Sequence, residues 1–210
     1  MFYLAKTPKW ISKLFADSIW SMPETEKAIY LTFDDGPHPV ITPFVLDELG
    51  KFGAKATFFC IGKNVAEHPG IYKRILEQGH AVGNHTHNHL NGWKTPNAKY
   101  LQNILEARNF IDSSLFRPPY GRITARQKKF LQHLNEPFKI VMWSVLSGDF
   151  DINITPEKCL ENVLKNTKSG SVIVFHDSEK AFERLQYTLP AVLKYFSEKG
   201  FCFEKIVTEL

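Results

Sequence analysis

Two segments of this 210-residue chain concentrate side chains that can do chemistry. The first is Thr32-Phe33-Asp34-Asp35-Gly36-Pro37, where adjacent carboxylates close an apolar run and a Gly-Pro step suits a turn. Neighbouring side chains on an extended chain point apart. One acid can therefore face a metal while the other faces a substrate. The second segment is Gly83-Asn84-His85-Thr86-His87-Asn88-His89, with three of the chain's eight histidines inside five residues. As a helical turn, it puts His85 and His89 on one face at i and i+4, a frequent zinc-ligand spacing, with His87 pointing away. As extended chain, it puts all three on one face. Two imidazoles and one carboxylate leave metal positions open for water and substrate, which is a catalytic rather than a structural pattern. Zinc suits this set, and iron(II) accepts it as well.

Three further clusters follow. In Arg117-Pro118-Pro119-Tyr120-Gly121 an always-charged Arg precedes a rigid Pro-Pro step, which suits it to hold a carboxylate in fixed geometry. The same residues taken alone also read as a surface turn with a free Arg. The stretch from Trp143 to Asp151 carries Asp149. In Val174-Phe175-His176-Asp177 a His ends an apolar strand, a place for a general acid if an acid lies nearby in space. Alone, His176 reads as a hydrogen-bonded core histidine.

The elements that must position these groups alternate along the chain. Short apolar runs at 28–33, 56–61, 80–83, 115–116, 139–145, 172–175 and 201–206 are rich in β-branched and aromatic residues and too short for helices. Amphipathic stretches lie between them at 42–49, 68–78, 97–111, 124–134, 155–165 and 185–199. Thr42-Pro43 and Thr155-Pro156 are start signals and Gly79 a stop. This alternation predicts an α/β fold, a parallel (β/α) barrel of about seven strands, closed or nearly so. All five polar clusters fall just after strand runs, where such barrels carry their active sites. Residues 1–24 read as an N-terminal amphipathic arm and 25–210 as the catalytic domain.

Composition narrows the partners. The net charge is +4 with Lys and Arg spread along the chain, so no nucleic-acid footprint is expected. Cys60, Cys159 and Cys202 are too few and too far apart for a disulfide framework; all three read as buried free thiols, which favours a reducing compartment. No run is long enough to span a membrane. Residues 1–20 alternate apolar side chains with Lys6, Lys9 and Lys13 and show no clear signal peptide. The arm is fit to pack on the domain or to touch a membrane surface weakly, and the expected location is cytoplasmic or peripheral.

Taken in order, the five clusters resemble the polysaccharide deacetylase family, the fourth class of carbohydrate esterases, over about residues 25 to 210. Thr32 to Pro37 is similar to the family's first motif, and His85-Thr86 with His89 to its His-Ser/Thr-x-x-His motif. Arg117 to Tyr120 is similar to the third motif, and Phe175-His176-Asp177 to its Leu-x-His segment. The resemblance implies a distorted β/α barrel and metal-dependent removal of acetyl groups from an N-acetylated glycan, chitin-like or peptidoglycan-like. It implies Asp35, His85 and His89 as ligands of a divalent metal, zinc in the first place. It implies Asp34 as catalytic base, Arg117 as the residue orienting it, and the Tyr120 backbone N–H as an oxyanion donor. His176 would be the general acid and Asp149 the acid that tunes it. The fourth motif departs from the family's Asp-x-x-Asp-Trp, with Leu146 at the first Asp and Phe150 at the Trp. An O-acetyl esterase would use the same machinery. A non-catalytic glycan-binding module would lack Asp34 or His176, and both are present.

Overall fold

A computed structural model describes residues 3–24 and 26–207. Met1 and Phe2 of the expected arm lie outside the described residues. The chain runs α1 (Lys9–Leu14), β1 (Ala28–Asp34), α2 (Ile41–Lys51), β2 (Ala56–Cys60), α3 (Gly62–Glu67), α4 (Pro69–Glu77), β3 (Ala81–Asn84) and α5 (Asn97–Arg108). It continues through β4 (Leu115–Phe116), a 3-10 turn (Pro119–Gly121), α6 (Ala125–Gln132), β5 (Lys139–Ile140), β6 (Val145–Leu146), α7 (Pro156–Asn166), β7 (Val172–His176), α8 (Glu179–Glu198) and β8 (Cys202–Phe203).

The strands form one parallel sheet in the order β5-β4-β3-β2-β1-β7-β6, with β8 paired to the start of β1. This is a distorted α/β barrel, as expected. The central strands are buried on both faces, which is why they read as continuous apolar runs. Ile29, Leu31, Phe33, Phe58 and Phe175 form the middle of the core, and the Phe33 ring stacks on Phe58 and Phe175 at 5.1 and 5.9 Å. Helix α8 covers this sheet with Leu185, Leu189, Val192, Leu193 and Phe196.

Several local expectations hold. Thr155 caps α7 by accepting the Lys158 N–H. Gly79 takes φ 79° just after α4. Others change. Helix α2 begins at Ile41, and the Val40 and Ile41 N–H groups donate to His38 Nδ1, so Thr42 is not its cap. Helix α3 is too short and polar to show a period. Helix α8 begins six residues before the expected 185, with Glu179 and Lys180 in its first turn. The single apolar run 139–145 breaks into β5 and β6, because its ends pair with opposite sides of the barrel, β4 and β7.

The N-terminal arm fills that break. Ile19 bridges Val141 in parallel, Ser21 bridges Ser171, and Lys6 bridges Val145 antiparallel. Among the described residues, no helix is long and apolar enough to cross a membrane. Cys60 and Cys159 are buried as expected, but Cys202 is exposed: on the edge strand β8 its neighbour Phe203 faces the core.

Candidate active site

The strand ends bring all five clusters to one rim. Asp34 and His176 are the last residues of β1 and β7 and stand opposite each other in the parallel register. His85 follows β3 directly and Arg117 follows β4 directly, while Asp149 sits three residues beyond β6. Among the described residues, the non-glycine positions with positive φ are Asp35 (85°), Thr86 (65°), His89 (53°) and Tyr120 (59°). All four lie at this rim, and such backbone persists only where the surroundings enforce it.

Asp35, His85 and His89 present one ligand atom each, all within 4.8 Å of one another. Asp35 Oδ1 lies 3.2 Å from His89 Nε2 and 3.8 Å from His85 Nε2. That oxygen is buried and has no hydrogen-bond partner, a cost that a cation at this point would remove. His85 Nδ1 is 2.7 Å from the Arg117 carbonyl, which can only accept. The ring therefore carries its proton on Nδ1 and turns a free Nε2 lone pair to Asp35. Burial pushes the His85 pKa down to about 4, against the pull of Asp34, so the imidazole stays neutral as a ligand must. Burial works against a charge on Asp35, but His89 and His176 hold its carboxyl well below the usual range. The donor set and the unsatisfied oxygen fit a divalent metal with three protein ligands.

The histidine loop is not a helical turn, as the i, i+4 reading required. His85 leaves β3 in extended form, and left-handed residues at Thr86 and His89 fold the loop back so that both rings meet Asp35. His87 does point away: its Nε2 lies 3.4 Å from Glu106 and its ring packs on Phe110.

Asp34 is nearly fully buried, and its Oδ1 accepts a 2.7 Å bond from Arg117 Nη1. Arg117 is completely buried rather than free on a turn. Its other donors go to Thr32 Oγ1 at 2.7 Å and to the Val141 and Met142 carbonyls at 3.2 and 3.0 Å. Its guanidinium also lies 4.0 Å from the Phe59 ring centroid. Every contact fixes the fork in one pose, so the Asp34 carboxylate is held with one oxygen committed.

His176 and Asp149 form a two-point pair. The His176 Nδ1 is 2.8 Å from Asp149 Oδ1, and its backbone N–H donates to Oδ2 at 2.7 Å. The other ring nitrogen, Nε2, is left for the cleft. Burial alone would lower the His176 pKa. The charge and hydrogen bond of Asp149, helped by Asp35 and Asp34, outweigh it and raise the pKa to about 10. A general acid at this position would work only while protonated, so its contribution would be present below this pKa and lost above it. Asp149→Asn should therefore move the alkaline limb of the pH–rate profile to lower pH at unchanged metal content. A variant that merely melts earlier, with an unmoved limb, would make Asp149 a packing residue.

Two residues of this rim were not singled out from sequence. Asp177 is buried; its Oδ1 accepts the Gly36 N–H at 2.9 Å and its Oδ2 the Thr42 hydroxyl at 2.5 Å. It clamps the Asp34-Asp35-Gly36 turn from across the sheet, and a Cβ at Gly36 would fall 2.0 Å from its carboxylate. Burial, with Asp35 nearby, pushes Asp177 up to about 7. Arg184 donates from Nε to the Asp149 carbonyl at 2.7 Å and anchors that loop. Its signal in the sequence is a charged residue on the apolar face made by Ala181, Leu185 and Thr188 of α8.

Asp34, Asp35, His85, His89 and His176 all line one cleft of about 730 Å³, within the usual size of a ligand site. Trp143, Leu146 and Phe150 make its apolar side, and the exposed Tyr120 ring packs on His89 at 4.7 Å. The two departures at the fourth motif, Leu146 and Phe150, thus face the cleft.

Comparison with known proteins agrees with this geometry. The model of the polysaccharide deacetylase family matches residues 21–136. A peptidoglycan-N-acetylglucosamine deacetylase of Bacillus cereus is 36% identical over 190 residues, 88% of this chain and 88% of that protein. A chitooligosaccharide deacetylase of Azorhizobium caulinodans is 35% identical over 164 residues, 73% of this chain and 75% of that one. The crystal structure of a peptidoglycan N-acetylglucosamine deacetylase in complex with 4-naphthalen-1-yl-N-oxidanyl-benzamide superposes with a TM-score of 0.85 at 33% identity, covering 95% of each chain. This chain belongs to the polysaccharide deacetylase family.

Proposed function

We propose that the protein is a zinc-dependent hydrolase that removes acetyl groups from N-acetylglucosamine units of a peptidoglycan-like or chitin-like glycan. The observation that carries this reading is the flanking of one metal-fit triad by two differently prepared acid–base groups, Asp34 held by Arg117 and His176 held by Asp149. The bound metal would supply polarisation of the acetamide carbonyl and a more acidic water.

The protein's own groups do the proton work. Asp34 takes a proton from the attacking water as oxygen adds to the acetyl carbon. Arg117 keeps the carboxylate aimed. The Tyr120 backbone N–H supports the carbonyl oxygen as it gains charge. His176 donates its Nε2 proton to the nitrogen as the C–N bond breaks, so acetate and a free amine leave. An amine is a poor leaving group without that proton, which gives the raised pKa of His176 a purpose.

The test is product balance. Incubation with an N-acetylglucosamine tetramer and with peptidoglycan should release acetate and expose primary amines one for one. Acetate from acetylated xylan alone, with no new amine from either N-acetylated substrate, would replace this reading with an O-acetyl esterase.

A further inference from the structure

The arm does more than fill the gap between β5 and β6. The Thr7 N–H donates to the Ser144 carbonyl at 2.9 Å, and the Leu146 N–H donates to the Ala5 carbonyl at 2.8 Å. The Thr7 hydroxyl donates to the Trp143 carbonyl at 2.8 Å. These bonds fasten residues 5–7 along the segment that carries Trp143 and Leu146, both of which line the cleft. Tyr3 and Leu4 are thereby carried onto the rim and line the same cleft as Asp34, His89 and His176.

Tyr3 is placed there by specific packing. Its ring meets Phe150 at 5.1 Å and 57°, and Phe150 in turn meets His176 edge-on at 5.3 Å. Its hydroxyl faces Asp151. Gly148, at φ 83°, leaves room for it, because a Cβ there would stand 2.7 Å from the Tyr3 oxygen. Leu4 beside it is 48% exposed although the next residue, Ala5, is tied to β6. An apolar side chain held in the open at a cleft rim offers a contact surface for the C–H face of a sugar ring.

We propose that residues 3–7 form a specificity-determining wall of the glycan cleft, in which Tyr3 and Leu4 bind the sugar unit whose amine His176 protonates. The inference rests on the deacetylase reading above. Because His176 must reach the leaving nitrogen, the sugar carrying it lies on the His176–Phe150 side, against this wall.

Kinetics on an N-acetylglucosamine tetramer test it in the full chain. Tyr3→Ala and Leu4→Ala should each raise KM by about fivefold to tenfold while kcat stays within about twofold, the pattern of binding lost equally from ground and transition states. Metal content and melting temperature should hold. Tyr3→Phe keeps the ring on Phe150 and should behave as the parent chain. A lower melting temperature with an unchanged KM in both alanine variants overturns the proposal and leaves the arm a packing element.

A second measurement needs neither a foldable alanine variant nor turnover. In an Asp34→Asn chain, the tetramer should slow amide hydrogen exchange at residues 4–7; unaltered exchange there, with the tetramer bound, overturns the wall. A parent chain that releases no acetate removes the deacetylase reading instead, so the two failures are distinguishable.

Discussion

Asp34→Asn should keep the metal and the fold and lose about 10²–10⁴-fold in kcat, the usual contribution of a positioned base. The substitution is nearly isosteric at a residue only 3% exposed, so no cavity opens. Arg117 is the reason the effect should be clean. Its Nη1 also bonds Thr32 Oγ1, and its other nitrogens bond two backbone carbonyls, so the guanidinium keeps its pose when the carboxylate charge is gone. An amide oxygen can still accept the Nη1 bond, but an amide cannot take a proton from water. Steady-state rates and elemental analysis on the same preparation decide the matter. Turnover near that of the parent chain at equal metal content would exclude Asp34 as the base.

The neighbouring acid offers the contrast. Asp34 and Asp35 are adjacent, yet one faces Arg117 and the other the two imidazoles; Asp34 ends β1 and Asp35, at φ 85°, has already left it, so the predicted division is reached through a turn rather than through two extended residues. That division was legible in the sequence, as were the strand ends that carry Asp34, His85, Arg117 and His176. The strands were visible because they are apolar on both faces, and the rim because charged residues interrupt them at the same end. The histidine spacing picked the right pair through the wrong backbone. A helix and a doubly left-handed loop can both bring i and i+4 together, and no periodicity separates them over five residues.

What escaped the sequence depends on long-range contact. Asp177 follows His176 directly, but its partners Thr42 and Gly36 lie 135 and 141 residues away. Nothing local distinguishes it from a solvated acid at a strand end. The arm shows the same limit. Its amphipathic pattern showed that it must cover something, but only the break between β5 and β6 shows what it covers, and only Phe150 shows why Tyr3 reaches the cleft. Leu146 and Phe150 were readable as departures from a motif, and their meaning came from the wall they share with Trp143.

Loss of a metal ligand should have the largest effect of all. His85→Ala and Asp35→Asn should each purify with less than about a tenth of the parent's metal and lose more than about 100-fold in activity, beyond the 10–100-fold typical for residues that only support a ligand. A site with three protein ligands has no spare donor. His85 is almost fully buried, and its Nδ1–H is committed to the Arg117 carbonyl, so its Nε2 cannot be replaced by a ring flip or by solvent. Its removal also leaves a void beside Arg117, and a lowered melting temperature alone would be ambiguous. Asp35→Asn removes that ambiguity, because it keeps the volume and takes away only the charge and one acceptor oxygen. In the parent chain, Asp35 Oδ1 is a buried acceptor with no partner, and it gains one when a cation binds. The parent should therefore melt at a higher temperature with metal than after chelation, while Asp35→Asn should show little such difference. Equal metal content and equal activity in Asp35→Asn and the parent would exclude this triad as the metal site, whatever the effect of His85→Ala on stability.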